Sequence, residues 1–162
     1  MVAERRPVSL LVRIAVAGAL VLGGLSAASV ASAGGGFTPG SVGIGDPYVP
    51  GEGNGGYQVR SYDLDLRFNP ATDTLRGTAT IEATATQDLS AFNLDLYGLT
   101  VQDASVDGVS AGFSRTPREL TVQPVTGVPS GQRFTAYVEY RGQPEILNDP
   151  DLGKSGWFNT SD

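Results

Sequence analysis

The chain has 162 residues, 11 of them basic and 17 acidic, for a net charge of −6, and it contains neither histidine nor cysteine. An acidic surface repels the phosphate backbone, which argues against nucleic acid as a partner. The missing residue types exclude a Ser-His-Asp or Cys-His triad, a histidine general base, a His-ligated zinc site and any disulfide.

The first 33 residues read as a targeting segment. Arg5, Arg6 and Arg13 form a positive stretch, residues 14–25 are a twelve-residue apolar run, and Ala31-Ser32-Ala33 is a small-x-small site before Gly34. That order predicts a secretory signal peptide cleaved between Ala33 and Gly34, and hence a secreted, extracellular protein with no stable membrane span. The run falls short of the about 20 apolar residues that cross a bilayer. The pair Arg5-Arg6 leaves twin-arginine export open beside the ordinary route. The segment carries three arginines and Glu4, so its removal leaves 8 basic and 16 acidic residues and a net charge of −8. Without disulfides, the remaining domain must be held by its core alone.

Residues 34–56 are rich in Gly and Pro and show no hydrophobic period, which predicts a flexible linker with short turns. Within it, Asp46-Pro47-Tyr48-Val49-Pro50 is a candidate to dock on the domain in extended form. The domain proper is expected over residues 57–142. Tyr62-Asp63-Leu64-Asp65-Leu66-Arg67-Phe68 alternates without a fault, which assigns Tyr62, Leu64, Leu66 and Phe68 to a core and Asp63, Asp65 and Arg67 to water. Upstream, Tyr57 and Val59 carry the odd phase, so a β-bulge is expected near Arg60-Ser61.

Asn69-Pro70-Ala71-Thr72-Asp73 supplies turn formers, and residues 75–85 alternate again, with Leu75, Ala79, Ile81, Ala83 and Ala85 on one side. The two runs predict a β-hairpin. Phe92-Asn93-Leu94-Asp95-Leu96 repeats the period. Further strands follow at Leu99-Thr100-Val101 with Ala104-Ser105-Val106, at residues 109–114 and 119–123, and at residues 134–140, with a turn at Asp107-Gly108. Some seven strands at this spacing, and no sustained helical period after the signal, predict an all-β, antiparallel two-layer β-sandwich. Residues 143–162 show no period and read as a C-terminal loop in which Trp157 and Phe158 are candidates for an interdomain contact.

No constellation for chemistry emerges. Asp63 and Asp65 fall on the solvated face of a strand, where a raised carboxyl pKa has no cause. Asp149 and Asp151 in a Pro-containing loop are weak candidates for a hard cation such as calcium, and no Asp-rich run has ligand-loop spacing. Gly53-Asn54-Gly55-Gly56 lacks the lysine and helix of a phosphate loop. Tyr48, Tyr57, Tyr97, Trp157 and Phe158 are candidates for a sugar platform, with packing on a neighbouring domain favoured for Trp157.

The ordered set Gly45-Asp46-Pro47-Tyr48, Gly55-Gly56-Tyr57, Tyr62-Asp63-Leu64-Asp65-Leu66, Gly77-Thr78-Ala79-Thr80-Ile81, Phe92-Asn93-Leu94-Asp95-Leu96, Val138-Glu139-Tyr140-Arg141-Gly142 and Gly156-Trp157-Phe158 resembles the N-terminal domain of secreted, actinobacterial-type zinc aminopeptidases of the aminopeptidase N family. The resemblance covers about residues 43–162. It implies a saddle-shaped β-sandwich beside a thermolysin-like catalytic domain, which would be the partner missing here, with zinc as the cofactor of the full-length enzyme and peptides as its substrates. The family holds zinc through H-E-x-x-H and a downstream glutamate, and the substrate amino terminus through Gly-x-Met-Glu-Asn. With no histidine, and Met1 as the only methionine, neither motif is present. The resemblance therefore implies a chain that stops before the catalytic domain, with no catalytic, cofactor-binding or metal residue to carry over. It implies a bracing role at the substrate cleft. A stand-alone secreted sandwich that binds sugar or protein at the cell surface is the alternative.

Overall fold

A computed structural model describes residues 36–48, 53–149 and 153–156, all within one compact unit. The signal segment with Ala33 and Gly34, the pair Trp157 and Phe158, and Asp151 lie outside the described residues. Eleven strands and no helix make up the described residues. They are β1 (Thr38–Pro39), β2 (Tyr57–Asn69), β3 (Thr74–Ala85), β4 (Leu89–Asp95), β5 (Thr100–Val106), β6 (Val109–Ser110), β7 (Gly112–Arg115), β8 (Glu119–Gln123), β9 (Arg133–Gly142), β10 (Ile146–Asp149) and β11 (Gly153–Gly156).

The alternating runs become the larger sheet. Strands β2 and β3 pair antiparallel from Tyr57↔Ala85 to Asn69↔Thr74, and the order across the sheet is β2-β3-β9-β5-β6. Arg60 has no partner between Val59↔Ala83 and Ser61↔Glu82. The expected bulge is therefore present, and it brings the odd-phase Tyr57 and the even-phase Tyr62 to one face. The hairpin turns as its residue types require. Asn69 Oδ1 accepts from the Ala71 amide at 3.0 Å, and Asp73 takes a positive φ of 50°. At Asp107-Gly108 the φ values of 51° and 77° make the two-residue turn between β5 and β6.

The smaller sheet has the order β1-β4-β8-β7, with β4, β8 and β7 antiparallel. The two sheets share one core. Ile81, Ala83, Phe134, Ala136 and Val138 of the larger sheet pack with Leu89, Phe92, Leu120 and Val122 of the smaller. At its centre three rings meet: Phe92 and Phe134 lie 5.1 Å apart, and Tyr57 stands edge-on to both, at 5.7 and 6.2 Å. Such ring pairs add to the area they bury. The all-β sandwich expected from the alternation is the fold observed.

Three features depart from the sequence reading. Part of the Gly- and Pro-rich stretch is laid on the domain: β1 pairs parallel to β4, and the Gly40 amide donates to the Ala91 carbonyl at 2.9 Å. Tyr48, by contrast, is 89% exposed, so that part of the docking candidate does not pack. The stretch after Gly142 contains the β10–β11 hairpin, paired from Ile146↔Gly156 to Asp149↔Gly153. And Tyr62, Leu64 and Leu66, assigned to the core by their phase, are 57, 52 and 43% exposed. They do lie on the inner face of the larger sheet, opposite the buried Ile81 and Ala79 and against Gly77. The smaller sheet does not reach over this edge.

Candidate functional site

The uncovered part of the sandwich is a groove of about 560 Å³ running along β2. Its floor is built by β3 and β9 through Leu75, Ala79, Ile81 and Val138, and one wall is the row Val59, Tyr62, Leu64 and Leu66 of β2. Leu94, Leu96, Leu99 and Leu120 form the opposite wall, and Ile44 closes one end. Gly77 shapes the floor. A Cβ there would stand 2.7 Å from the Tyr140 ring and 2.8 Å from Leu66 Cδ2, so only glycine lets these two side chains meet over β3. A second hollow of about 340 Å³ adjoins the first, sharing Leu75, Asp95, Leu96 and Leu99 and bordered by Pro144, Leu147 and Gly156.

Polar groups gather at one end. Asn54 Nδ2 donates to Asp95 Oδ2 at 3.2 Å, and the Tyr57 hydroxyl donates to the Asn93 carbonyl at 2.5 Å. Burial, with lesser contributions from Tyr62, Asp95 and Glu119, pushes the Tyr57 phenol far above its ordinary pKa. Burial and then the Asp95 charge raise that of Tyr62, and burial raises that of Tyr140. Arg115 Nη2 donates to the Leu96 carbonyl at 2.7 Å, and burial lowers its pKa. Tyrosine is neutral at physiological pH already at its ordinary pKa of about 10, so Tyr57 and Arg115 supply hydrogen bonds here and none of these groups is poised for proton transfer.

Those of the site residues anticipated from the sequence that are described are not brought together. Asp63 and Asp65 stand exposed, with Asp65 in a solvent-exposed ion pair with Arg67 at 3.6 Å, of the kind worth little. Tyr57 belongs to the core trio, Tyr97 lines the second hollow half-buried, and Tyr48 projects into water, so they form no common platform. Among the described residues Asp95 is the one carboxylate in the groove, and no three acidic side chains cluster as metal ligands would. With no histidine or cysteine to complete a donor set, the residues present do not fit zinc.

Sequence reading also missed Asn93. It is 4% exposed, donates from Nδ2 to the Gly40 carbonyl at 3.1 Å and accepts from Thr121 Oγ1 at 2.7 Å, tying the N-terminal arm to the smaller sheet. A polar residue between Phe92 and Leu94 at strand spacing signals an outward face, and nothing in the sequence says that this face is covered.

Fold and groove thus define an antiparallel β-sandwich with an open apolar face and no reactive constellation among the described residues. No family model matches the chain, and no curated protein does. Solved structures do. An M1 zinc metallopeptidase from Deinococcus radiodurans is 29% identical, with a TM-score of 0.66, over 74% of this chain and 28% of that one. A mutant two-domain M1 zinc metallopeptidase bound to L-arginine is 30% identical, with a TM-score of 0.66 and the same coverage. A mutant of the Deinococcus radiodurans M1 zinc metallopeptidase bound to a Tyr-Ser-Ala substrate gives 30% and 0.65. The resemblance carried by the sequence motifs is borne out: the domain is similar to M1 zinc metallopeptidases, and it spans about a quarter of their length.

Proposed function

We propose that this chain is the non-catalytic N-terminal β domain of a secreted zinc metallo-aminopeptidase, bracing the catalytic domain and flanking its substrate cleft. The observation that carries this reading is the pairing of 30% identity over 74% of this chain with coverage of only 28% of the metallopeptidase. The absence of histidine and cysteine from the chain favours a supporting rather than a catalytic role. In the full enzyme, zinc would polarise the scissile carbonyl and activate water, and its ligands would come from the catalytic domain. This domain contributes shape and a docking face.

The purified chain, supplied with zinc, is expected to release no amino-terminal residue from peptides or aminoacyl anilides. Zinc-dependent release would overturn the reading. The genomic frame immediately after the Asp162 codon is expected to encode H-E-x-x-H, and a frame without it would count equally against the family assignment. Export is part of the proposal: amino-terminal sequencing of the secreted protein should begin at Gly34. A binding module for sugar gains no support from Tyr48, Tyr57 and Tyr97, the described candidates, which lie in three different environments.

A further inference from the structure

The stretch Gly53-Asn54-Gly55-Gly56, which lacks the partners of a phosphate loop, contains the only Asn-Gly pair in the sequence. Asparagine before glycine is the pair most open to self-modification, because no Cβ keeps the glycine nitrogen from the preceding side-chain amide. The fold requires that glycine. A Cβ on Gly55 would collide with Ser41 Oγ, and one on Gly40 would collide with the Gly55 carbonyl. Two stretches of the N-terminal arm therefore cross with their backbones in contact, and only glycine allows it.

We propose that Asn54 is a self-modification site held off by this crossing: it converts to aspartate or isoaspartate when the crossing opens, and the new charge then keeps it open. In the reaction the Gly55 nitrogen loses its proton to solvent base and attacks Asn54 Cγ. The bond from Cγ to Nδ2 breaks, Nδ2 leaves as ammonia, and a succinimide closes. Water adds to one of the two ring carbonyls and breaks its bond to the ring nitrogen. The product is aspartate or isoaspartate, and no oxidant, metal or enzyme is consumed.

Three features of the closed crossing oppose the attack. The Gly55 amide donates to the Ser41 carbonyl at 2.9 Å, so the attacking nitrogen is protonated and engaged. Asn54 Nδ2 donates to Asp95 Oδ2 at 3.2 Å, which holds the side-chain amide toward β4. Asn54 Oδ1, where negative charge develops as Cγ is attacked, is buried with no hydrogen-bond partner among the described residues. An oxyanion with no donor, beside a carboxylate, is not stabilised. Conversion turns one of these holds into a repulsion. The Asn54 amide donates to Asp95, whereas a carboxylate at position 54 meets it as a like charge. Asp95 already stands opposite Glu119 in the β4–β8 pairing, so the product adds to an acidic pair.

The test incubates the whole chain in neutral buffer, folded and in guanidinium. Peptide mapping by mass spectrometry follows the exchange of NH2 for OH at Asn54, and isoaspartyl methyltransferase labelling follows the isomer. The unfolded chain should convert at least about tenfold faster, since the folded chain reacts only while the crossing is open. Q87A removes an exposed side chain that donates to Thr38 Oγ1 and the Pro39 carbonyl of the arm. It should speed conversion of the folded chain several-fold, leave the rate in guanidinium unchanged and barely move the urea midpoint. N54D, the product, should raise hydrogen exchange at the Gly55 amide, and N54D/D95N should restore it. Equal rates folded and unfolded, a Q87A rate equal to that of the parent, or parent-like exchange in N54D would each overturn the proposal. None of these outcomes bears on the family assignment, which the frame after Asp162 tests separately.

Discussion

Tyr57 joins the two sheets at a single side chain. Its ring packs on Phe92 and Phe134, and its hydroxyl donates to the Asn93 carbonyl. Because burial raises its pKa in the fold, the unfolded chain ionises first. Its stabilising contribution is fully present below pH about 10, the ordinary value for tyrosine, and is lost as pH rises beyond it. Y57F should cost about 1 kcal/mol at neutral pH, for the lost hydrogen bond. It should also flatten the fall in stability above pH about 10, measured by urea melts across that range. A decline as steep as that of the parent chain would mean that Tyr57 is not the group being titrated, leaving Tyr62 and Tyr140, which are raised less by burial. The phase of Tyr57 was legible in the sequence. The burial of Asn93 was not, because the arm covering it comes from a Gly-rich stretch whose only strand among the described residues, β1, has two residues.

Among the elements, β2 shows both what alternation reveals and where it stops. A switch of apolar phase between Val59 and Tyr62 located the bulge, and Arg60 is the residue left unpaired. Alternation names the face a side chain takes, and it is silent on whether another layer extends over that face. That is why Tyr62, Leu64 and Leu66 were given the right face and the wrong burial. The β10–β11 hairpin was illegible for a related reason. Its strands are four residues each, too short for a period to stand out from loop composition. The bulge makes a sharp prediction. R60A should change stability by no more than about 0.5 kcal/mol, since the side chain is exposed. Deleting Arg60 should cost about 2–4 kcal/mol, because it turns Tyr57 and Val59 to the outer face and empties the space beside Phe92 and Phe134. Urea midpoints of the two variants check this. Equal midpoints would show that the upstream half of β2 is not anchored by Tyr57.

At the scale of the whole molecule, the described residues bury one core and leave an apolar face open, and the two should respond differently to solution conditions. Metal should not matter to this chain. With no histidine or cysteine, zinc has no donor set to bind in the folded state, so the melting temperature should be the same with zinc and with chelator. The open face should matter. A dye that fluoresces on apolar surface should bind the native chain at neutral pH, and L64K/L66K should remove most of that signal without lowering the melting temperature, because both side chains are already about half in water. Dye binding that survives the double variant would place the exposed apolar surface elsewhere. Loss of dye binding together with a large drop in melting temperature would show that the β2 row is core after all. Stability that ignores zinc, together with an open face that can be changed at no cost to folding, would show that the sandwich is held by its core alone.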